Sequence, residues 1–353
     1  MNLLVIGGAG YIGSHMCKRL VEAGHKLVVC DDLSTGHEGA LRWGTFIRGS
    51  IDDQAFLRGL FASQHFDGVL HFAARSLVAE SMRDPQAYYT HNVGHTLTLL
   101  QVMREFGVNK FVFSSTAAIF GEPQSRLIVE EHPTVPMNPY GLSKLMVEQI
   151  LRDSARAYGL RSVSLRYFNA AGADPSGLIG EAHDPETHLI PKLVRKAAGE
   201  DIEVTLNGLD YPTEDGTCVR DYVHVNDLAD AHLLALEHLG HAVGMHTFNL
   251  GNGAGYSVRE IIQAVRDVTG VNIEVPATGR RPGDPAHLVA CGKRAKAVLG
   301  WVPKYTQVGD IIETAVRWHA SDTFKEWMGY AAVRHAPHQS TTTVAAHQRP
   351  SQV

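Results

Sequence analysis

The sequence predicts an α/β protein built on a doubly wound parallel sheet, followed by a smaller mixed α/β domain. Residues 3–6 (LLVI) form an apolar run typical of a strand buried on both faces, and a glycine-rich turn and a helical pattern follow at once. Apolar runs and helically spaced segments then alternate as far as residue 171. Because ligands of such sheets bind beyond the carboxyl ends of the strands, we expect the functional residues there.

The first strand leads into a loop whose glycine spacing is typical of dinucleotide binding. Gly7, Gly10 and Gly13 follow one such spacing, and Gly8 begins a second that shares the last two glycines. Glycine allows a tight turn, close approach of the backbone to a pyrophosphate, and close packing of helix on strand. The N-terminus of the following helix offers free N–H groups to the phosphates. Ordinary turns also use glycine, but the position between a predicted strand and a predicted helix favours dinucleotide binding.

The second apolar run, residues 27–30, ends in Asp31 and Asp32. An acidic side chain at the end of this strand accepts hydrogen bonds from an adenosine ribose and repels a 2′-phosphate. Together with the glycine loop, it predicts a Rossmann half-site that binds NAD rather than NADP.

The composition excludes several classes of partner. The chain has 353 residues and a formal net charge of −5, with 44% hydrophobic and 20% charged residues, as in ordinary globular proteins. A negative chain without basic runs predicts no nucleic-acid partner. No apolar stretch approaches the roughly 20 residues of a membrane span, and the first strand begins directly after Met1, which leaves no room for a leader peptide. We therefore expect a cytoplasmic protein that binds no membrane.

The cysteines and histidines predict neither disulfides nor a metal site. Cys17, Cys30, Cys218 and Cys291 form no C-x-x-C pair, which favours reduced thiols. The 20 histidines are scattered, and no H-x-x-x-H pair lies beside carboxylates in a helical pattern.

The remaining elements are predicted in chain order. Strands are expected at residues 45–48, 68–74 and 110–116, and helices at 54–61, at 92–107, from about 140, at 227–239 and at 258–269. Residues 172–188 and 210–217 are rich in Gly, Pro, Asp and Glu, which predicts long loops. We expect an NAD-binding domain at 1–171, a substrate domain at 172–330 and a disordered tail at 331–353. Residues 220–225 are expected to return to the sheet, which parts of 220–260 complete.

Tyr140 and Lys144 are the predicted catalytic pair. Pro139 marks the start of a helix, so the spacing of i and i+4 places both side chains on one face, one turn apart. A free phenol has a pKa of about 10 and is a poor base at neutral pH. A neighbouring ammonium, with the positive nicotinamide ring of bound NAD⁺ beyond it, favours the phenolate and lowers that pKa. We predict that Tyr140 takes a proton from a substrate hydroxyl, to which Thr116 also hydrogen-bonds. The alternative, a chance pair on a helix surface, is disfavoured by the dinucleotide loop and the Ser-Ser-Thr strand end.

The predicted catalytic helix also carries an apolar surface that needs cover. Leu142, Leu145 and Met146 lie on the side away from Tyr140. A two-fold contact through helices 92–107 and 140–158 would bury this surface in a four-helix bundle, which predicts a homodimer. Packing within one subunit is the alternative.

Residues 7–15 (GGAGYIGSH), Tyr140-x-x-x-Lys144, residues 166–169 (RYFN) and residues 211–222 (YPTEDGTCVRDY) carry a family resemblance. They resemble the UDP-galactose 4-epimerase family, which belongs to the extended short-chain dehydrogenase/reductases. The first two motifs occur throughout that superfamily, whereas the last is far narrower. The resemblance extends from about residue 1 to about residue 320.

The resemblance implies an NAD-dependent isomerase that interconverts UDP-galactose and UDP-glucose, a reaction of galactose metabolism. Oxidation at C4 would give a 4-keto sugar, which turns about its link to the diphosphate before hydride returns to the opposite face. Lys144 would tune the tyrosine and hold the nicotinamide ribose. Arg220 and Arg281 would grip the diphosphate, because a guanidinium fork matches phosphate oxygens, and Asp284 would hold the uridine ribose.

The resemblance also implies two sets of contacts. The cofactor contacts would be Gly7, Gly10, Tyr11, Ile12, Gly13, Asp31, Ser34, Thr35, Gly36, Ile51, Phe72, Ala73, Ala74, Asn92, Ser114, Tyr140, Lys144 and Tyr167. The substrate contacts would be Thr116, Asn169, His188, Leu189, Thr205, Arg220, Tyr222, Arg281, Asp284 and Leu288.

Several alternatives stay open at this point. A sugar-nucleotide dehydratase is disfavoured because Ala117 and Ala118 stand where related dehydratases carry Asp and Glu after the threonine. Leu288 is intermediate between the bulky and the small residues of relatives, which leaves N-acetylated sugars open. UDP-uronate and UDP-pentose 4-epimerases differ only near C6 of the sugar. A non-catalytic NAD-sensing protein is disfavoured because the chain keeps Tyr140 and Lys144.

Overall fold

The computed structural model describes residues 1–281 and 284–334, with side chains described as far as residue 329. The strands are β1 (Asn2–Ile6), β2 (Lys26–Asp31), β3 (Thr45–Arg48), β4 (Gly68–His71), β5 (Lys110–Thr116), β6 (Arg161–Tyr167), β7 (Asn169–Ala171), β8 (Leu206–Asn207), β9 (Val219–Arg220), β10 (Tyr222–His224), β11 (Met245–Leu250), β12 (Tyr256–Ser257), β13 (Ala277–Thr278) and β14 (His287–Leu288). The helices are α1 (Tyr11–Glu22), α2 (Gln54–Ser63), α3 (Val78–Arg83), α4 (Pro85–Tyr88), α5 (His95–Glu105), α6 (Pro139–Tyr158), α7 (Leu189–Ala197), α8 (Val225–His238), α9 (Val258–Thr269), α10 (Val308–Ala320) and α11 (Asp322–Arg334).

A seven-stranded parallel sheet in the order β11-β6-β5-β4-β1-β2-β3 forms the centre of the molecule. The chain runs outward from β1 to β3 and then crosses to β4 on the other side of β1, so the strand order reverses beside β1. Such a reversal opens a crevice at the carboxyl ends of the strands, where ligands of open α/β sheets bind. The predicted doubly wound α/β fold is confirmed.

The two faces of the sheet carry separate cores, because successive side chains of a strand point to opposite faces. Leu3 and Val5 of β1 belong to one core, whose other members include Met16, Leu20, Leu228 and Leu236 of helices α1 and α8. Leu4 and Ile6 belong to the second, with Leu57, Leu99 and Val147 of helices α2, α5 and α6. Helices therefore cover both faces, which explains the continuous apolar run at residues 3–6.

Several element boundaries match the sequence prediction and others differ for clear reasons. β3, β5 and α9 have the predicted bounds. Helix α6 begins one residue early, at Pro139, because proline is well tolerated at the first helical position. The predicted helix at 92–107 is divided into a π-helical segment, Tyr89–Gly94, and α5.

The prediction that residues 220–225 return to the main sheet is wrong. In the structure β9 pairs with β12 and β14, and β10 pairs with β7. Because β7 follows β6 after a single residue, β10 extends a small sheet at the carboxyl end of β6. The seventh strand of the main sheet is β11, which pairs with β6.

Helices α7, α9 and α10 surround a core of their own within the predicted substrate domain. Its members include Ile190, Val194, Ile261, Val265 and Ile311. Helix α11 continues to Arg334, so the first four residues of the predicted tail are helical, and residues 335–353 lie outside the described part of the chain. Among the described residues, no helix combines the length and the apolar character that a membrane crossing requires.

A buried ion pair joins helix α6 to the sheet. The carboxylate of Glu148 accepts two hydrogen bonds from the guanidinium of Arg166 in β6, at 3.0 and 2.6 Å, and a third from the Ser115 hydroxyl of β5, at 2.6 Å. The side chains of Glu148 and Arg166 are 0% and 4% exposed. Bidentate pairing satisfies both charges in the interior, so this contact determines how α6 lies on β5 and β6.

We expect Glu148→Gln to destabilise the protein by about 3–5 kcal/mol, because it leaves the Arg166 charge buried without its partner. Urea denaturation measures the change. The matched control is Glu105→Gln, which removes one partner of the exposed Arg58–Glu105 pair, with side chains 49% and 46% exposed, and should cost less than about 1 kcal/mol. Equal costs for the two variants would contradict the importance of the buried pair.

Candidate active site

At two positions in the loop between β1 and α1, the neighbouring backbone leaves no room for a Cβ, so only glycine fits. Gly7 has a φ of 79°, and a Cβ there would lie 2.5 Å from the backbone nitrogen of Ala73 after β4. A Cβ on Gly13 would overlap the carbonyl oxygen of Gly7. Both positions therefore exclude any side chain.

Gly10 differs, because the chain around it has room for a side chain. The nearest atom to a Cβ on Gly10 would be the Gly7 carbonyl oxygen at 3.5 Å, an ordinary contact. The residue is also the N-cap of α1, with no side-chain cap and no acidic residue in the first turn of the helix. Bare backbone at an uncapped helix N-terminus fits a pyrophosphate. The glycine loop thus fits the predicted NAD on structural grounds.

Asp31 at the end of β2 is hydrogen-bonded to the glycine loop. Its carboxylate accepts hydrogen bonds from the backbone N–H groups of Ala9, at 2.9 Å, and Leu33, at 2.8 Å. Burial raises the pKa of Asp31, and these two backbone donors oppose that shift. The predicted ribose acceptor thus also holds the loop in place, a role that the sequence pattern did not indicate.

The loop after β2 packs directly on the glycine loop. A Cβ on Gly36 would lie 2.7 Å from that of Ala9, so only glycine fits there. Thr35 lines a cavity with Gly10 and Tyr11, to which Gly180, Ala182, His183 and Trp327 also contribute. Ser34 lies beside this cavity and is exposed.

Lys144 lies buried beneath the carboxyl end of β5. Its ammonium donates a hydrogen bond to the carbonyl of Ser114, at 2.8 Å, and lies 4.7 Å from the centre of the Phe113 ring. Because burial disfavours the charged form, the pKa of Lys144 falls to about 7.

Tyr140 lies one helical turn before Lys144, as predicted. Burial raises the pKa of its phenol, and a hydrogen bond from the Thr116 hydroxyl group opposes the shift. Thr116 also accepts a hydrogen bond from the backbone N–H of Ala118, at 3.1 Å. The structure therefore brings together Tyr140, Lys144 and Thr116. Burial outweighs the hydrogen bond from Thr116, so the surrounding chain raises the pKa of the phenol. The predicted lowering depends also on the positive nicotinamide ring of bound NAD⁺.

Other predicted cofactor residues line the same edge of the sheet. Ser114 in β5 hydrogen-bonds through its hydroxyl to the phenol of Tyr167 in β6. Phe72, Ala73 and Ala74 directly follow β4, and Ile51 follows β3 and is buried in the core of that face. Ile12 lies in the first turn of α1.

Asn92 holds the chain after β4 in place. Its amide oxygen accepts a hydrogen bond from the Arg75 N–H at 2.9 Å, and its amide nitrogen donates to the Arg75 carbonyl and the Ser143 hydroxyl, both at 3.0 Å. The side chain predicted to contact the cofactor thus links residue 75 to α6.

The predicted substrate residues Arg220 and Asp284 pair with each other. Their side chains form an ion pair at 2.6 Å, 64 residues apart in the chain. The Arg281 carbonyl accepts a hydrogen bond from the Asp284 N–H at 3.3 Å, and the Arg281 side chain is exposed. Pro282 and Gly283 lie outside the described residues.

The other predicted substrate residues come from different elements. Asn169 in β7 donates to the Asp221 carbonyl at 2.9 Å. Tyr222 in β10 is buried, and Leu288 in β14 is half-buried against the cluster around Ile128. Leu189 is the first residue of α7, and Thr205 directly precedes β8.

His188 belongs to a cluster that the sequence analysis missed. Its Nδ1 lies 2.6 Å from a carboxylate oxygen of Glu181 and 3.4 Å from one of Glu186. Burial opposes the charged form, but these carboxylates raise the pKa of His188 well above its ordinary value. His183 is the fourth member, with its Nδ1 3.0 Å from the Glu181 carboxylate. The four residues occupy a loop without helical spacing, so no periodic pattern could reveal them. We call this group the loop cluster.

Comparison with known proteins shows the family to which the chain belongs. A model of the NAD dependent epimerase/dehydratase family matches residues 3–251. The chain is 51% identical over 319 residues to a UDP-glucose 4-epimerase of Halalkalibacterium halodurans, covering 90% of this chain and 96% of that one.

Solved structures agree with this match. The structure of UDP-glucose 4-epimerase from Brucella ovis in complex with NAD is 48% identical, with a TM-score of 0.86 over 89% of this chain and 97% of that one. That from Bifidobacterium longum in complex with NAD⁺ and UDP is 38% identical, with a TM-score of 0.87 over 91% and 99%. By its glycine loop, its sheet and these similarities, the chain belongs to the NAD dependent epimerase/dehydratase family.

Proposed function

We propose that this protein is an NAD-dependent UDP-glucose 4-epimerase, an isomerase that interconverts UDP-galactose and UDP-glucose. The observation that carries the proposal is the group formed by Tyr140, Lys144 and Thr116 at the carboxyl end of β5, beside a glycine loop that fits NAD. The relatives named above are UDP-glucose 4-epimerases, at 38–51% identity over about nine-tenths of the chain. We further propose a cytoplasmic location, supported by four free cysteines.

When bound, NAD would supply the redox chemistry, as the hydride acceptor for C4 of the sugar and then as the hydride donor to the opposite face of the 4-keto sugar. Tyr140 removes the proton of the C4 hydroxyl as the C4 carbon is oxidised, and gives it back when C4 is reduced. Thr116 holds the same hydroxyl through a hydrogen bond. Net redox change is zero, so one NAD serves many turnovers.

The protonation of Tyr140 depends on the charges around it. Burial raises the pKa of the phenol, so the base needs compensating positive charge. The ammonium of Lys144 supplies part of it from one helical turn away, and a positive nicotinamide ring supplies the remainder. Lys144 also holds the nicotinamide ribose in this proposal. Asp31 binds the adenosine ribose, and the glycine loop binds the pyrophosphate.

Arg220 and Asp284 form the proposed grip on the nucleotide. A guanidinium has five N–H donors, so Arg220 can bind a phosphate while its NH1 donates to the Val219 carbonyl and its NH2 to Asp284. Asp284 is held by this pair in position for the uridine ribose. A firm nucleotide grip leaves the sugar free to turn, which epimerisation requires.

The dehydratase alternative fails on the chemistry of the turn after β5. Elimination needs an acid and a base, but Ala117 and Ala118 follow Thr116 in a short 3₁₀ turn, Ala117–Ile119. Methyl groups transfer no protons. N-acetylated, uronate and pentose UDP-sugars remain as alternative substrates of the same 4-epimerase chemistry, and a substrate panel compares them.

We expect the purified protein to convert UDP-galactose into UDP-glucose when NAD is far below the substrate concentration, because each hydride taken is returned. Product formation is followed by chromatography, and NADH absorbance should not accumulate. A protein that binds NAD but converts none of UDP-galactose, UDP-N-acetylgalactosamine, UDP-galacturonate and UDP-arabinose would overturn the proposal.

In the same assay, Tyr140→Phe should lower kcat by about 10²–10⁴-fold, the usual contribution of a general base, and leave NAD bound. Tyr158→Phe is the matched control from the other end of α6, where the ring lies under Arg104, and should keep full activity. A nearly normal rate for Tyr140→Phe would remove this residue from the base role.

Lys144 should make stability depend on pH. Its folded-state pKa is about 7, against about 10.4 in an unfolded chain, so between these values the unfolded chain binds more protons and stability rises with pH. The stability gained by Lys144→Met should therefore be largest below pH 7 and shrink towards pH 10, by up to about 1.4 kcal/mol per pH unit. Urea denaturation of cofactor-free protein measures it. A difference independent of pH would contradict a buried lysine whose pKa is lowered by burial.

We propose that the protein forms a homodimer through α5 and α6. Leu97 of α5 and Leu142 and Met146 of α6 are 38%, 38% and 41% exposed. Val78 and Met82 of the adjoining helix α3 are also exposed. Leu145 does not contribute to this surface, since it packs within the subunit against the cluster around Ile128. Exposed apolar side chains on α3, α5 and α6 support a contact with a second copy.

Sedimentation velocity at micromolar concentration should give the mass of a dimer, and Met146→Glu should give a monomer, because a charge would be buried in the contact. Val302→Glu is the control, since Val302 is 57% exposed and lies outside these helices. A monomeric wild-type protein would overturn the dimer.

A further inference from the structure

We propose that the loop cluster of Glu181, His183, Glu186 and His188 binds one divalent metal ion, for which Zn²⁺ has the best-matched chemistry. The ion would fix the conformation of residues 181–188, which precede α7 and contact the start of α1 through the rings of His183 and Tyr11. The proposal does not depend on the reaction catalysed.

The geometry of the cluster suits four-coordinate metal. The ligand atoms of the four residues all lie within 4.8 Å of one another. The His188 Nδ1 lies 2.6 and 3.4 Å from the two carboxylates, and the His183 Nδ1 lies 3.0 and 4.0 Å from them. A tetrahedral Zn²⁺ site with bonds of about 2.0–2.1 Å has ligand atoms about 3.3 Å apart. The four measured separations lie on both sides of that value, so small side-chain movements complete the site.

The charges of the cluster also match a divalent ion. The Glu181 and Glu186 side chains are 3% and 1% exposed, and two buried carboxylates need two compensating positive charges. One Zn²⁺ with two neutral imidazoles makes the cluster neutral. Nitrogen and carboxylate ligands in equal number favour Zn²⁺ over Mg²⁺ or Ca²⁺, which prefer oxygen ligands alone.

Surrounding contacts orient the ligands. The carboxylate of Glu186 accepts hydrogen bonds from the N–H groups of Thr187 and His188, at 2.7 and 2.8 Å. The carbonyl of Glu181 accepts a hydrogen bond from the indole of buried Trp318, at 2.7 Å. Outer contacts of this kind preorganise metal ligands.

The Nδ1 atoms of His183 and His188 each lie near both carboxylates, which is the arrangement expected around a common centre. An ion-pair network without metal needs only one carboxylate for each protonated histidine. The ring of His183 also packs edge-on against Tyr11, with centroids 6.3 Å apart. A metal here would therefore fix the His183 ring that contacts Tyr11 in the first turn of α1.

The test is titration of the NAD-loaded, chelator-treated protein with Zn²⁺ by calorimetry and with Co²⁺ by visible absorption. We expect one ion per chain and the intense absorption of tetrahedral Co²⁺. His183→Ala and Glu186→Gln should each weaken binding by at least about 10–100-fold, the effect of losing even an outer-sphere partner. With metal, residues 181–188 should resist proteolysis.

His241→Ala is the matched control, because exposed His241 lies beside another histidine, His238, with ring centroids 5.1 Å apart, outside the loop cluster. This substitution should leave the affinity of the loop cluster for Zn²⁺ unchanged. Circular dichroism checks that each variant is folded. If the wild-type protein takes up no metal, or if uptake persists in both folded variants of the loop cluster, the cluster is an ion-pair network and the proposal is wrong. Loss of uptake in His241→Ala alone would also overturn it.

Discussion

The buried ion pair between Glu148 and Arg166 is the contact on which the geometry of the candidate site depends. Tyr140, Lys144 and Glu148 follow one another at intervals of four residues along a single face of α6. The last of them binds Arg166 of β6 and the Ser115 hydroxyl of β5. A helix fixed at this point cannot slide or rotate on the sheet without leaving charges buried and unpaired. The pair therefore sets the position of Tyr140 and Lys144 at the carboxyl end of β5.

The burial that fixes α6 on the sheet also disfavours the charged forms of Tyr140 and Lys144. Lys144 loses most of its hydration and its pKa falls to about 7, and the pKa of Tyr140 rises. Neither shift favours the charged pair that base catalysis requires. A bound positive nicotinamide ring would favour the phenolate in a medium where electrostatic interactions are strong. In the proposed mechanism, burial favours the protonated tyrosine and the bound cofactor would activate it.

The parts of the fold that could be predicted from sequence are those with local periodic patterns. β3, β5 and α9 were predicted with their observed bounds, and Tyr140 and Lys144 were paired by helical spacing alone. Contacts between distant residues could not be predicted in this way. Arg220 and Asp284 pair although they are 64 residues apart in the chain. Residues 220–225 do not join the main sheet, because β10 pairs with β7 at the end of β6. The loop cluster depends on the path of a loop with no repeating pattern. Sequence periodicity determines which face of an element is buried, whereas tertiary packing determines which loops meet.

Tyr11 connects the two halves of the proposed site. Its backbone begins α1, beside the glycines proposed to bind the pyrophosphate, and its hydroxyl donates to the Gly172 carbonyl at 2.6 Å. Its ring contacts His183, five residues before the His188 that precedes α7. A movement of His183 in the segment before α7 would therefore change the ring contact of Tyr11 at the start of α1. An enzyme that must return the hydride it has taken needs its cofactor to stay in place while the sugar turns. The contacts of Tyr11 would meet that need in the proposed mechanism, because they join the loop proposed to bind the cofactor to residues 172 and 183, which precede α7.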